Sequence, residues 1–251
     1  MEQVKYVYAI GCSYTGGTGL ENWKDRFSYQ LSQRLEAEEV NEGMGGGSNL
    51  RIFRKVIDWV SINPEKLKHT LFLVQWTYAG RNELWYCGPT PDGEGNIQSE
   101  EDFIKEYDPD DSWQGAWYNA HYGHDGYTDW NVLRKDGKEI NAFYLPNTPI
   151  LSEILCRYII SLQNIFQNNS CKYIMFQGHM ARHDDNNDVV GEIFFNSKLG
   201  KVIDKKNWIA EYGLRDYCQA SNNLTDCEHA DSKGNKNWTD LLHSKYEELY
   251  L

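Results

Sequence analysis

One uncharged run, Thr70-Leu-Phe-Leu-Val-Gln-Trp76, constrains this chain more than any other stretch. It leaves no polar face for water. Such a run reads as a strand buried on both sides, the condition at the centre of a parallel sheet covered by helices. Residues 4–10 and 171–176 read as two further strands, and Glu39-Val40 marks a short one. Helical patterns fill the intervals. Asn22 is placed to cap a helix from residue 23 to about residue 37, with Trp23, Phe27, Leu31 and Leu35 on one face. Ser48 or Asn49 opens the next, whose apolar face is Ile52, Phe53, Val56, Ile57 and Val60. Thr148-Pro149 starts a long helix carrying Ile150, Leu151, Ile154, Leu155, Tyr158, Leu162, Ile165 and Phe166. Residues 205–212 read as a short helix, and Ser232 is expected to cap a final one with Trp238, Leu241, Leu242, Tyr246 and Leu249 inward. Strands alternating with helices imply a parallel sheet with right-handed crossovers, and 251 residues suffice to bury one such core.

The chemistry is expected where the first strand ends. Ala9-Ile10-Gly11-Cys12-Ser13-Tyr14-Thr15 runs from strand to a glycine-rich turn, which places Ser13 just past a strand end. A nucleophilic serine needs a base, and the base needs a partner that orients it. The far end of the chain carries both residue types in Asp226-Cys227-Glu228-His229. If that stretch is helical, residues three apart face one side, so Asp226 reaches the His229 imidazole and fixes its tautomer. The Ser13 and Gly46 amides are the natural donors to the oxygen that becomes negative during acyl transfer. A helix after Ser13 and one after Asn49 aim their N-termini at the same sheet edge.

Residues 84–148 differ in character. They show no sustained periodicity, hold four of the six prolines, and carry thirteen acidic against four basic side chains. They also contain Trp85, Trp113, Trp117, Trp130 and six tyrosines, among them Tyr118. Disordered segments are poor in aromatics, so an ordered insertion is expected, serving as a lid or recognition subdomain. Flat aromatic faces stack on sugar rings. Trp76, Trp85, Trp113, Trp117 and Tyr118 are therefore the candidate substrate-binding residues, with a carbohydrate favoured over an acyl chain.

Three short motifs occur in a telling order: Gly11-Cys12-Ser13, Asn41-x-Gly43-x-x-Gly46 and Asp226-x-x-His229. With them the chain resembles the SGNH, or GDSL-type, serine hydrolases. The resemblance implies a single domain, a three-layer α/β/α sandwich on a flavodoxin-like parallel sheet, and a serine esterase using Ser13, His229 and Asp226 through a covalent acyl-enzyme. O-acetyl groups on a carbohydrate are the expected substrate, and no cofactor is implied. Two departures stand out. Cys12 replaces the aspartate of the first motif. The third motif is absent, and the strand instead runs into Gln75-Trp76-Thr77-Tyr78-Ala79-Gly80-Arg81-Asn82, with Tyr78 where the family's asparagine falls. Thr77, Arg81 and Asn82 are the candidate substitutes for that oxyanion donor. A module on the same fold that binds glycan or another protein, with impaired catalysis, is the alternative.

A net charge of −12 argues against nucleic acid and anionic membrane as partners, since both reward Lys and Arg. His121, His124 and Asp125 are too loosely spaced to suggest a metal, and His179, His183, Asp184 and Asp185 read as a solvated loop. The six cysteines form no C-x-x-C pair and read as free thiols. No export signal is recognised at the N-terminus, so the cytoplasm is the default expectation, shared with components of phage or viral particles.

Overall fold

The computed structural model describes residues 2–77, 82–86, 116–120, 134–135, 138–139, 148–178, 197–209 and 213–251. Its centre is a five-stranded, all-parallel sheet. The strands are β1 (Tyr6–Ile10), β2 (Glu38–Asn41) and β3 (Thr70–Trp76), with two more after the insertion. Inside the insertion, β4 (Asn82–Tyr86) pairs antiparallel with β5 (Ala116–Ala120), and β6 (Arg134–Lys135) with β7 (Lys138–Glu139). The sheet resumes with β8 (Lys172–Gln177) and ends at β9 (Trp208–Ile209), giving the order β2-β1-β3-β8-β9. β3 lies in the middle, and every one of its residues is buried.

Successive side chains of a strand point to opposite faces, and the two faces hold two cores. Tyr8, Ile10, Phe72, Val74 and Trp76 pack under α3 (Asn49–Ile62) and α4 (Thr148–Asn168), chiefly against Ile52, Val56, Ile159 and Phe166. Val7, Ala9, Leu71, Leu73 and Phe176 pack under α2 (Phe27–Arg34), α5 (Leu214–Ala220) and α6 (Ser232–Tyr250), against Leu31, Leu214, Trp238 and Leu242. The expected α/β/α sandwich is therefore present. Right-handed crossovers account for the sorting: the chain moves one way from β1 to β2 and the other way from β2 to β3, so consecutive helices fall on opposite faces. The direction reverses between β1 and β3, and the crevice at their carboxyl ends is where such sheets bind ligands.

Four local expectations change. The first helical stretch is broken: Asn22 caps only a 3₁₀ turn, Trp23–Asp25, and α2 begins at Phe27. The break is at Arg26, whose backbone is extended while its guanidinium reaches Glu39 of β2. Trp23 is consequently 52% exposed and lies beside Arg26 instead of in the core. Within the stretch read as a helix at 205–212, residues 208–209 form the edge strand β9 against Met175 and Phe176, and the helix follows at Leu214. Asp231, not Ser232, caps α6 by accepting from the Gly234 amide, and Ser232 instead donates to Asp25. Residues 84–148 contain short antiparallel pairs that the sequence pattern does not reveal.

Candidate active site

The turn after β1 is shaped by what lies beneath it. The Gln75 side chain rises from β3. Its Oε1 accepts from the Thr15 amide at 3.2 Å and the Thr15 hydroxyl at 2.7 Å, while its Nε2 donates to Cys12 Sγ at 3.0 Å. A Cβ at Gly11 would sit 2.7 Å from Gln75 Oε1 and 2.3 Å from Thr15 Oγ1, so only glycine lets Gln75 pass. Cys12 stays extended, and the four-residue helix α1 (Ser13–Gly16) starts at the serine. Cys12 is buried beneath the turn, with its sulfur taken by Gln75. It packs where the resemblance placed an aspartate.

The second glycine-bearing stretch braces this turn from the side. Asn41, at the end of β2, donates from Nδ2 to the Thr15 carbonyl and the Ser28 hydroxyl, each at 2.8 Å, and accepts from the Gly43 amide at 2.9 Å. Gly43 presses on the α1 backbone so closely that a Cβ would come 2.3 Å from Gly16 N. Gly46 has a φ of 75°, and Gly47 lies against the Gly11 carbonyl. The Ser48 hydroxyl then caps α3 by accepting from the Arg51 amide. Among the described residues, no acceptor engages the amides of Ser13 or Gly46.

The other half comes from the C-terminal loop. His229 Nε2 lies 2.8 Å from Ser13 Oγ, across 216 positions of sequence. Its Nδ1 lies 2.8 Å from the Cys227 carbonyl. A carbonyl only accepts, so Nδ1 carries the proton and Nε2 offers its lone pair to the Ser13 hydroxyl. This is the tautomer a general base needs. The expected helical turn at 226–229 is not formed. The chain makes a tight non-helical turn in which Glu228 takes a φ of 61°, so Asp226 and His229 do not share a face. Asp226 is exposed and contacts no polar group among the described residues.

Several residues that pattern reasoning passed over support the imidazole. The Tyr14 ring lies 4.7 Å from it, centroid to centroid, and the Tyr14 hydroxyl donates to the Glu228 carbonyl at 3.0 Å. The Glu228 carboxylate pairs with Arg215, whose side chain is only 5% exposed. Thr225 holds both backbone groups of His229. A Cβ at Gly19 would meet Cys227 Sγ at 2.8 Å, so the loop after α1 packs directly on this turn. The one sequence signal was adjacency: Tyr14 follows the nucleophile candidate and Glu228 precedes the base.

The remaining candidates divide. Trp76, expected to bind substrate, is fully buried in the core beneath α3 and α4, because its place on β3 points it into that layer. Thr77 is buried, its amide and carbonyl are held by the Asn49 side chain, and its hydroxyl has no partner among the described residues. Asn82, Trp85, Trp117 and Tyr118 lie on the antiparallel pair β4 and β5, where Trp85 is in register with Trp117 and Leu84 with Tyr118. Arg81 and Trp113, and the histidines at 121, 124, 179 and 183, lie outside the described residues. Among the described residues, no group of three or more His, Cys, Asp or Glu is placed to hold a metal ion.

No family model matches the chain, and no curated protein does. Solved structures do. The psychrotrophic esterase EstA from Pseudoalteromonas sp. superimposes with a TM-score of 0.52 at 7% identity, over 98% of each chain. A lipolytic G-D-S-L protein from Veillonella parvula DSM 2008 gives 0.46 at 13% identity over 98% of each chain. The acetyl xylan esterase AlAXEase gives 0.46 at 12%, over 98% of this chain and all of the other. The chain thus adopts the fold of EstA, the sandwich implied by its resemblance to SGNH hydrolases.

Proposed function

We propose that this protein is a serine hydrolase of carboxylic esters, with Ser13 as nucleophile and His229 as general base. The observation that carries the reading is the 2.8 Å approach of His229 Nε2 to Ser13 Oγ, with the imidazole held in the base tautomer. Distance and protonation are the two requirements for such a pair. Ser13 Oγ attacks the ester carbonyl carbon while its proton passes to Nε2. The tetrahedral oxygen takes the Ser13 and Gly46 amides as donors. Collapse breaks the bond to the alkoxy group, which leaves as an alcohol with the proton returned by His229. Water, activated by the same imidazole, then releases the acid from acyl-Ser13. No step calls for a cofactor.

A carbohydrate O-acetyl ester is the substrate class we favour. What supports it is the aromatic content of the insertion, which carries Trp85, Trp113, Trp117 and Tyr118, with Trp85 and Trp117 in register across β4 and β5; flat aromatic faces are what sugar rings stack on. Purified protein is expected to hydrolyse 4-nitrophenyl acetate and to release acetate from acetylated oligosaccharides. Ser13→Ala is expected to lower turnover ~10⁴–10⁶-fold with an unchanged circular dichroism spectrum. Hydrolysis retained by that variant would refute the assignment. A folded wild type that binds the oligosaccharide yet hydrolyses neither ester would favour a glycan-binding module.

A further inference from the structure

We infer that the orienting partner of His229 is the main-chain carbonyl of Cys227, not a carboxylate, and that Thr225 is the positioning residue that keeps it there. This rests on the Ser13–His229 pair being catalytic. An imidazole base requires that its second nitrogen be held as a donor. Any fixed acceptor meets that need, and here the acceptor is a carbonyl at 2.8 Å.

The carbonyl is fixed because the whole turn is fixed. The Thr225 amide donates to the His229 carbonyl at 2.7 Å, and the Glu228 amide donates to the Thr225 carbonyl at 2.9 Å. One hydroxyl completes the closure: Thr225 Oγ1 accepts from the His229 amide at 3.2 Å and donates to the His229 carbonyl at 3.1 Å. Leu224 and Ala230 form an antiparallel bridge at the mouth of the turn. Glu228 sits in the left-handed region, a conformation unfavourable for a side chain with a Cβ. Two outside contacts hold it there, the Tyr14 hydroxyl on its carbonyl and Arg215 on its carboxylate. Asp226 lies at the exposed tip of the same turn, the place with least leverage on the imidazole.

A carbonyl carries a dipole where a carboxylate carries a full charge. It therefore sets the tautomer as firmly but stabilises the imidazolium formed during attack less strongly. Exchanging an orienting acid for an amide that imposes the wrong tautomer costs ~10⁴ in kcat, so keeping the base tautomer is a large part of what the orienting partner must do.

The test is steady-state kinetics on 4-nitrophenyl acetate with the full chain and five variants. Asp226→Asn and Asp226→Ala are expected to change kcat/KM less than tenfold. Thr225→Val is expected to lower kcat tenfold or more with KM within twofold, and Thr225→Ser, which keeps the hydroxyl, to restore kcat. A tenfold or greater loss in both Asp226 variants would overturn the inference and return the role to a carboxylate. So would a Thr225→Val enzyme with unchanged kcat, or a Thr225→Ser enzyme as slow as the valine variant. Ser13→Ala separates the two levels: its retained activity refutes the catalytic pair itself, whereas its inactivity alongside a slow Asp226→Asn refutes only the carbonyl.

Discussion

The two halves of the candidate site differ in how much each owes to close glycine packing. The Ser13 turn combines three tight glycine contacts, Gly11 over the Gln75 side chain, Gly43 on α1 and Gly47 against the Gly11 carbonyl, with the Gln75 and Asn41 hydrogen bonds to Thr15. His229 is held by polar contacts around an exposed turn: the Thr225 hydroxyl, the Cys227 carbonyl, Tyr14 and the Arg215–Glu228 pair. Steric packing tolerates almost no substitution, because a Cβ cannot share space with a backbone nitrogen. Hydrogen bonds fail by degrees, because each contributes about 1 kcal/mol net. The nucleophile's side should therefore break in stability, and the base's side in rate.

The largest expected effect is on rate. His229→Gln should reduce kcat/KM for 4-nitrophenyl acetate ~10⁴-fold, with a thermal midpoint close to that of the wild type. A variant that unfolds instead would show that the loop carries the fold. The next is on stability. Gly43→Ala, with its Cβ 2.3 Å from Gly16 N, should lose about 1–3 kcal/mol in urea unfolding, and more if α1 cannot shift. Asn41→Ala removes four hydrogen bonds at the same junction, the one to Glu39 long at 3.5 Å, and about 1–3 kcal/mol is expected. Gly45→Ala is the control: nothing lies within 4 Å of its Cβ, and the change should stay within about 0.5 kcal/mol. Equal losses at 43 and 45 would show that close packing is not what makes the nucleophile side intolerant of substitution.

Thiol chemistry sharpens the same contrast at smaller scale. Burial pushes the Cys218 thiol from 9.0 up to about 12 and the Cys171 thiol up to about 11, whereas Cys227 is exposed on the turn. The folded state thus keeps protons that the unfolded chain gives up. That contribution to stability is complete below the ordinary thiol value of 9.0 and is lost as pH rises toward the folded values. The urea midpoint should accordingly fall as pH rises from 9.0 to about 11. At neutral pH, iodoacetamide should modify Cys227 while Cys171 and Cys218 stay protected, as peptide mapping would show.

Much of this was legible in the chain. The unbroken run at Thr70–Trp76 identified the central strand, and Gly11, Ser13, Asn41, Gly43 and His229 stood out by residue type and order. What stayed hidden depends on long-range contacts that no local pattern records. Gln75 looked like one more residue of an apolar run, yet it organises the nucleophile turn from below. Trp76 looked like a sugar platform, yet strand alternation turns it into the core. The Asp226–His229 spacing suggested a helical turn, and periodicity reasoning has no means of foreseeing the positive φ at Glu228, which tertiary contacts to Tyr14 and Arg215 sustain. Arg26 breaks the first helix for a similar reason, since its partner Glu39 lies on β2.

Labelling with a fluorophosphonate tests the central claim, a hydroxyl activated by an imidazole from the other end of the chain, most directly. Intact-mass and peptide analysis should show one adduct on Ser13 in the wild-type protein and none in folded His229→Ala. An unlabelled Ser13 in the wild type, or equal labelling in both proteins, would contradict it.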